Sequence, residues 1–227
     1  TYYRTYSAGT TVTFDTLGAF GVGAAAFIYL AFREIAVYKT PRYFPLTSDH
    51  FLIADANRAS YDATTEILSV TDHTHMLSTQ TYTLPLYVEC ELKWIWADAT
   101  ILLTDALSST DTHMPQVSNT VAWGTGAYET KYATGVNGSY SGGSLSFDPT
   151  YDQFTKFSIY VDENVIIMYQ NEGDERYRFT RDTHTFPSWA TNGGNVRAGI
   201  WDFRKGEYRN FKVGSTNPWL HSIPLSD

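Results

Sequence analysis

Two glutamates and a lysine alternate in one short stretch, where Glu89, Glu91 and Lys93 follow one another at two-residue spacing. In an extended strand, side chains at i and i+2 project from the same face about 7 Å apart. Two carboxylates at that separation can serve as acid and base on a glycosidic bond. Lys93 favours a different interpretation, in which it offsets the carboxylates on a solvated, charged face. The solvated, charged face is the favoured interpretation, and an acid and base pair is the alternative.

A second chemistry open to these residue types is β-elimination of a uronic-acid polymer. It requires a cation that neutralises the substrate carboxylate and a Tyr, His or Lys that moves the proton. The residues assigned to this alternative are Lys93, Tyr128, Tyr132 and His113, with Lys131 and Arg197 as further cations. The runs Arg-x-Glu-x-Arg, Gln-Ile-His and Tyr-Phe-Lys-x-Gly of alginate lyases are absent. Whether the chain is an enzyme therefore stays open, and binding without catalysis is the preferred hypothesis.

Aromatic side chains add the capacity to stack on sugar rings. Residues 121–141 combine Trp and Tyr with Gly, Thr and Asn, a mixture typical of recognition loops. Arginine and lysine supply hydrogen-bond donors. The candidate binding residues are Tyr87, Glu89, Glu91, Lys93, Trp123, Tyr128, Lys131, Arg197 and Trp201.

Metal binding finds weaker support. His73 and His75 share a face if this segment is extended, which would suit two ligands of one metal ion. Polar segments of Asp, Thr and His, however, also suit turns. Calcium through Asp148, Asp152 or Asp162 lacks the Asp-x-Asp-x-Asp-Gly loop that would indicate it. The prediction is therefore a domain without metal or cofactor.

Bulk composition narrows the class of partner. The 227 residues have a formal net charge of -8 and no run of basic residues. Nucleic acid requires clusters of Lys and Arg against its phosphates, so it is not expected as a partner. Aromatic residues make up 16% and charged residues 18%, and this composition favours β structure and partly wet recognition surfaces.

The hydropathy of the chain and its single cysteine bear on membrane insertion, disulfide bonding and location. The apolar stretch 18–32 is broken by glycine and falls short of the roughly 18 residues that a membrane span needs, so no membrane insertion is expected. The single cysteine, Cys90, provides no intrachain disulfide and is predicted to face the core. Composition and the lack of an initial Met favour an extracellular, virion or cell-surface location, with an oligomer or larger assembly as an open option.

The elements that must position these residues are strands. Period-2 alternation is clearest over residues 84–96 and puts Glu89, Glu91 and Lys93 on one wet face. Residues 99–104 are predicted to be the hairpin partner of that strand. Residues 156–180 predict two further hairpin turns, and residues 196–203 and 208–213 predict a closing pair. Many short strands without a long amphipathic helix indicate an all-β sandwich or barrel.

Two segments resemble a known superfamily. Phe-Ser-Ile-Tyr-Val-Asp-Glu-Asn-Val at 157–165 resembles the w-x-i-x-v-D-g-n-x-v hairpin of concanavalin-A-like domains, including laminin-G-like modules. Val-Arg-Ala-Gly-Ile-Trp at 196–201 and Tyr-Arg-Asn-Phe-Lys-Val at 208–213 are similar to the closing strands of those domains. The resemblance covers residues 80–213 and implies a two-sheet antiparallel β-sandwich of jelly-roll type, in which residues 86–93 cross the concave sheet.

The same resemblance bears on catalysis. Glycosidases of this fold resemble the pattern Glu-x-Asp-x-x-Glu at that strand, whereas this chain reads Glu-Cys-Glu-Leu-Lys-Trp at 89–94 and lacks the third acidic residue. Fold alone does not fix function. Three hypotheses therefore stand: a glycan- or surface-binding module, for which a viral or bacterial appendage is one source, a polysaccharide lyase, and a structural domain that mediates contacts between chains.

The sequence divides into a long C-terminal part and a short N-terminal part. Residues 46–227 are assigned to the sandwich. Residues 1–45 are predicted to add N-terminal strands to the same sandwich, and the alternative is that they end a preceding domain. Residues 32–37 echo residues 208–213 in type and order, which allows either arrangement.

Overall fold

The computed structural model describes residues 41–96, 99–105, 120–126, 129–136, 139–145, 152–181, 187–191, 194–202 and 204–219. All of them fall within one unit, Thr40–Asp227. The side chains of residues 129–136 and 139–145 lie outside the description. The predicted role of residues 1–40 also lies outside it and stays a prediction.

The described residues form strands and one short helix. The strands are β1 (Arg42–Tyr43), β2 (Phe51–Ile53), β3 (Ala59–Asp62), β4 (Ile67–Val70), β5 (Thr74–Ser78), β6 (Leu86–Trp96), β7 (Ala99–Thr104), β8 (Thr120–Gly126), β9 (Glu129–Val136), β10 (Ser139–Leu145), β11 (Phe154–Val161), β12 (Val165–Gln170), β13 (Asp174–Thr180), β14 (Arg197–Asp202) and β15 (Lys205–Gly214). The helix, α1, is the single turn Ser188–Thr191.

The strands pair into two antiparallel sheets, which confirms the predicted all-β sandwich. Sheet I has the order β13-β12-β11-β6-β15-β4-β3, and β1 also pairs with β15. Sheet II has the order β10-β9-β8-β7-β14-β5-β2. Because β1 pairs Arg42 with Val213, the sandwich begins before residue 46.

The main hydrophobic core draws side chains from both sheets. Alternation along β6 sends Leu86, Val88, Cys90 and Leu92 into this core, as the sequence pattern predicts. From sheet II, alternate residues of β7 and β8 enter the same core, among them Ile101 and Trp123. Tyr87, Glu89, Glu91 and Lys93, which alternate with the core residues of β6, therefore project from the outer face of sheet I.

One predicted pairing is wrong. Residues 99–104 do form a strand, but β7 pairs with β8 and β14 in sheet II and not with β6. A strand offers only two hydrogen-bonding edges, and β11 and β15 take both edges of β6. The chain therefore passes from one sheet to the other between β6 and β7.

The hairpins and closing strands agree with the sequence pattern. β11 pairs with β12 and β12 pairs with β13, as predicted for residues 156–180. Asp162 directly follows β11, and its Oδ1 accepts hydrogen bonds from the backbone N–H groups of Asn164 and Val165. The closing strands β14 and β15 lie in different sheets, each next to a central strand.

Candidate functional site

The outer face of sheet I carries a polar lattice, which we call the polar face. Its members are the outward side chains of β6, β11 and β15, and the register aligns them in cross-strand rows. Across the three strands the rows read Lys212–Glu89–Ser158, Arg209–Glu91–Lys156 and Glu207–Lys93–Phe154. Side chains directly opposite in an antiparallel pair lie close enough to interact. The register therefore sets each carboxylate of β6 opposite a cation of β15.

A β-bulge in β15 makes this arrangement possible. Arg209 and Lys212 are three residues apart, so in a regular strand they would face opposite sides of the sheet. The register shifts between them, and Asn210 adopts a left-handed backbone with φ of 54°. Asparagine tolerates this conformation better than most residues. The bulge turns both cations towards the polar face and brings the amide of Asn210 there too.

Glu89 is the buried carboxylate of the lattice. Its Oε1 lies 2.7 Å from Nζ of Lys212, and its Oε2 accepts a 2.7 Å hydrogen bond from the hydroxyl of Tyr87. Lys212 is half-buried, and Tyr87 has no exposed surface. Glu89 therefore orients Lys212, while Tyr87 cannot stack on a ligand as predicted, because no face of its ring is open.

Glu91 accepts hydrogen bonds from two neighbours on β15. Nε of Arg209 donates to Oε2 at 2.7 Å, and Nδ2 of Asn210 donates to Oε1 at 2.9 Å. Burial alone would raise the pKa of Glu91, but these two hydrogen bonds and the charge of Arg209 outweigh it and lower that pKa. The carboxylate is thus held in its ionised form.

Lys93 lies between two acidic side chains. Its Nζ is 2.7 Å from Oε2 of Glu207 and 3.2 Å from Oδ1 of Asp152. The hydrogen bond to Glu207 is the main cause that raises the pKa of Lys93, and the bond to Asp152 adds to it against partial desolvation. The lyase alternative offers Lys93 two roles: moving the proton, for which a lysine that holds its own proton this firmly is poorly suited, and neutralising a substrate carboxylate, for which it is already paired with two acidic side chains.

An aromatic ring lies at this end of the polar face. The guanidinium carbon of Arg209 is 3.9 Å from the centroid of Phe154, and Nζ of Lys93 is 5.5 Å from it. At these distances the ring attracts both cations. On the same strand as Phe154, Lys156 forms an ion pair with Glu172 at 2.5 Å. The half-buried cations of this face are therefore fixed in position.

The opposite end of the outer face of sheet I is aromatic. Tyr87, Tyr160, Ile167 and Tyr169 form a small hydrophobic cluster against which Trp219 packs. The hydroxyl of Tyr169 accepts a 2.7 Å hydrogen bond from the buried amide of Asn217. Burial is the main cause that raises the pKa of Tyr160 to about 12. This end therefore keeps its phenols protonated and hydrogen-bonded.

Trp123, predicted to bind, lies in the core. It has no exposed surface, its ring packs edge-on against Phe157, and its Nε1–H donates to the backbone oxygen of Tyr169 at 2.7 Å. The prediction that Trp123 stacks on a ligand is wrong, because the alternation of β8 points the ring inward.

Arg197 and Trp201 lie on β14 in sheet II and do not meet the polar face. Nη1 of Arg197 donates to the carbonyl oxygens of Ser78 and Thr79. Trp201 packs against a small cluster of Leu77, Leu102 and Ala122, separate from the main core. Apart from Trp123, the predicted site residues whose side chains are described are therefore divided between the outer faces of two sheets.

The remaining candidates are not brought together. Tyr128 and His113 lie outside the described residues. Lys131 and Tyr132 belong to β9 in sheet II, while Lys93 belongs to sheet I. The lyase alternative thus divides its assigned residues between two sheets.

Sequence reasoning missed several residues that build the polar face. They are Phe154, Lys156, Glu207, Arg209, Asn210 and Lys212. In β15, Glu207 and Arg209 flank the apolar ring of Tyr208, and this alternation could have predicted that both charged side chains lie on one face. The bulge at Asn210 could not be predicted in this way, because it appears only once the strands are paired.

Metal ligands do not cluster in the described part of the chain, where no group of three His, Cys, Asp or Glu side chains could hold an ion. Asp152 pairs with Lys93, and Asp162 caps its hairpin. Asp148 lies outside the described residues. Of the helices described, none has the length and apolar character needed to cross a membrane.

Comparison with known proteins identifies the fold. No family model and no curated protein matches the chain. Among solved structures, a β-glucanase of Bacillus licheniformis aligns at 14% identity with a TM-score of 0.53, over 79% of this chain and 99% of that chain. A β-1,3-1,4-glucanase (lichenase) derived from a mouse hindgut metagenome aligns at 14% identity and a TM-score of 0.51, over 77% and 97%.

A carbohydrate-binding module from Bacillus subtilis, CBM66, aligns at 9% identity with a TM-score of 0.54, over 73% of this chain and 96% of that chain. These likenesses span nearly the full length of each solved structure. They agree with the two antiparallel sheets and with the hairpin and closing strands singled out in the sequence. The described part of the chain has the concanavalin-A-like jelly-roll fold.

Proposed function

We propose that this domain is a glycan-binding module that holds its ligand on the polar face of sheet I without cleaving it. Structures of similar fold include glucanases and a carbohydrate-binding module, which supports a glycan-related role. Because fold alone does not determine function, the argument depends on the chemistry of the polar face. An extracellular, virion or cell-surface location is part of the same proposal.

The observation that carries the proposal is the row of half-buried, fixed donors and acceptors on β15 and β6. Arg209 and Lys212 have side-chain exposures of 39% and 37%, and each is held at 2.7 Å by a glutamate of the neighbouring strand. Rigid strands hold these groups better than loops would, so a ligand meets preorganised partners. Sugar hydroxyls can both donate to the carboxylates and accept from the cations.

The state of the two key ionisable groups supports binding over cleavage. A general acid for glycoside hydrolysis must be protonated, and its pKa is raised for that purpose. The pKa of Glu91 is lowered instead, and Lys212 pairs with Glu89. Glu91 is therefore not prepared to donate a proton, and both oxygens of Glu89 are engaged by Lys212 and Tyr87.

Charge balance favours a ligand without net charge. Four cations of the face pair with five carboxylates: Lys93, Lys156, Arg209 and Lys212 with Glu89, Glu91, Asp152, Glu172 and Glu207. A uronic-acid polymer would need cations that are not already neutralised. The net charge of -8 would further repel a polyanion.

Binding to a neutral mixed-linkage β-glucan and to polygalacturonate, measured by titration calorimetry, tests the proposal. We expect binding to the neutral polymer and about tenfold weaker affinity for Arg209→Ala, equivalent to roughly 1.4 kcal/mol. Arg58→Ala is the matched control, since Arg58 is also 39% exposed and paired with an aspartate, away from the polar face. Its affinity should equal that of the unmodified chain.

Two results would count against this function. Equal loss of affinity in Arg209→Ala and Arg58→Ala would place binding elsewhere or show it to be nonspecific. Rising absorbance from an unsaturated product on polygalacturonate, abolished in Lys93→Ala, would replace binding by lyase activity.

A further inference from the structure

Glu91 holds two consecutive residues of β15, one on each of its carboxylate oxygens. Nε of Arg209 donates to Oε2 at 2.7 Å, and Nδ2 of Asn210 donates to Oε1 at 2.9 Å. An ionised carboxylate only accepts hydrogen bonds, so the amide of Asn210 must present its nitrogen to Glu91 and keep its oxygen, Oδ1, for another partner. Arg209 likewise uses Nε for Glu91 and keeps Nη1 and Nη2.

The three atoms left over by these bonds are open to solvent. Nη1 and Nη2 of Arg209 and Oδ1 of Asn210 form no hydrogen bond with any residue that the structure describes. Both residues are half-buried, yet none of the three atoms is among the polar atoms that the described part of the chain buries without a partner. A ligand on the polar face can therefore reach two donor nitrogens and one acceptor oxygen.

The surroundings restrict the movement of these groups. The guanidinium carbon of Arg209 lies 3.9 Å from the ring centroid of Phe154, and this contact adds to the bond from Nε. Asn210 belongs to the bulge of β15, where its backbone has a φ of 54°. Each group is thus held by its strand and by Glu91, so that little freedom is lost when a ligand binds.

The free end of the guanidinium selects the kind of ligand atom. Its two nitrogens donate side by side and fit two oxygens that are also side by side. In carbohydrates such a pair is either the two oxygens of a carboxylate or two hydroxyls on adjacent ring carbons. The oxygen of Asn210 distinguishes them, because a hydroxyl can donate to it and an ionised carboxylate carries no hydrogen to donate.

We infer that Arg209 and Asn210, positioned by Glu91, bind a pair of adjacent hydroxyls on one sugar ring. In this arrangement both hydroxyl oxygens accept from Arg209, and one of the hydroxyls donates to Asn210. The inference rests on the proposed function and specifies the class of glycan. The ligand is a neutral polymer whose linkage leaves two adjacent ring hydroxyls free.

Linkage decides whether a hexose polymer has such a pair. Internal sugars of a 1,4-linked hexopyranose chain keep the hydroxyls of ring carbons 2 and 3, which are neighbours. Internal sugars of a 1,3-linked chain keep hydroxyls at carbons 2, 4 and 6, of which no two are neighbours. We therefore expect this domain to prefer 1,4-linked over 1,3-linked sugars of the same composition.

Titration calorimetry with two gluco-oligosaccharides of equal length, one β-1,4-linked and one β-1,3-linked, tests this preference. Both are used as methyl glycosides, and each is methylated at its non-reducing end on the hydroxyl where the next sugar would be attached. The ends then offer no adjacent pair that the internal sugars lack. The unmodified chain should bind the 1,4-linked probe about tenfold more tightly, as expected for hydrogen bonds to a charged group.

Variants assign the preference to the two residues. Arg209→Lys keeps the charge opposite Glu91 but removes the paired donors, so affinity for the 1,4-linked probe should fall about tenfold to that of the 1,3-linked probe. Asn210→Gly keeps a residue that adopts positive φ freely and should cost about threefold for the 1,4-linked probe only. Arg58→Lys is the control for the same exchange at a 39% exposed arginine paired with Asp55, and it should leave the preference unchanged.

Three results would overturn the inference. They are equal affinity of the unmodified chain for the two probes, a preference that survives in Arg209→Lys, and tighter binding of an oligogalacturonate than of the 1,4-linked probe. If both linkages bind equally and Arg209→Ala weakens both, the pairing with adjacent hydroxyls fails while the polar face remains the glycan site. A chain that binds none of these saccharides overturns the proposed function as well.

Discussion

The two sheets share one core but present different chemistry on their outer faces. The outer face of sheet I is a lattice of ion pairs, among them Glu89–Lys212 and Glu91–Arg209. The outer face of sheet II carries a small apolar cluster that includes Leu77 and Leu102, both fully buried. Its strands β5, β7 and β8 contain no Asp or Glu. The comparison shows that alternation along a strand determines on which face a side chain lies. The pairing of the strands determines which partners that side chain contacts.

The difference extends to the backbone. Sheet I places a bulge in β15 to aim cations at the polar face. Sheet II instead brings strands so close that glycine is required in β14, where a Cβ on Gly199 would overlap the carbonyl oxygen of Met76. Sheet I is therefore distinguished by the side chains of its outer face, and sheet II by the close approach of its strand backbones. Substitutions in the two sheets should show this difference.

The largest effect is expected in sheet II. Gly199→Ala should lower the free energy of unfolding by about 3 kcal/mol, because the new methyl group meets backbone that cannot rotate away. The matched control is Gly214→Ala in β15, where a Cβ would lie 3.1 Å from Cα and 3.3 Å from Cβ of Pro41. That variant should lose less than half as much in urea unfolding. Equal losses would mean that the two sheets do not differ in this way.

The next effect concerns the buried carboxylate of sheet I. Glu89→Ala should cost about 2 kcal/mol of unfolding free energy, because it removes the acceptor of Tyr87 and the partner of Lys212. Glu172→Ala removes an exposed carboxylate from its pair with Lys156 and should cost less than about 0.5 kcal/mol. A similar cost in both variants would show that burial of Glu89 adds nothing to its pair.

A smaller effect should depend on pH. The pKa of Glu91 is lower in the folded chain than its ordinary value near 4.5, so the unfolded chain takes up this proton first on acidification. The stability that Glu91 contributes is therefore fully present above about pH 4.5 and is lost as pH falls through the lowered pKa. Glu91→Gln should be less stable by about 1 kcal/mol at pH 7. The difference should shrink at pH 3, and a constant difference would contradict the ion pairing.

These residues also show which features of the fold and the site could be predicted from the sequence. Alternation placed Glu89, Glu91 and Lys93 together and Cys90 in the core, because the direction of a side chain in a strand is a local property. Their partners were out of reach, since Arg209 and Lys212 lie more than 100 residues away along the chain. The hairpin and closing strands were predictable because turns and apolar alternation are local signals too.

Tryptophan illustrates the remaining gap. Trp123 lies among Gly and Thr in the sequence, which favoured a recognition loop, but strand pairing buries it. Trp219 sits near the end of the chain with no periodic pattern around it, and only the contact with Gly173 shows that its ring is held flat. Composition could not distinguish the two, because their environments are created by distant parts of the chain.

The smallest effect is expected from Trp201, on β14 of sheet II. Trp201→Phe should cost about 1 kcal/mol of unfolding free energy, since the smaller ring loses contact area and the 3.3 Å hydrogen bond from Nε1 to His73. Its affinity for the neutral β-glucan should equal that of the unmodified chain, whereas Arg209→Ala loses about tenfold. The two variants together assign the ligand to one face. If Trp201→Phe weakens binding and Arg209→Ala does not, the glycan site belongs to sheet II, where Trp201 was first predicted to bind.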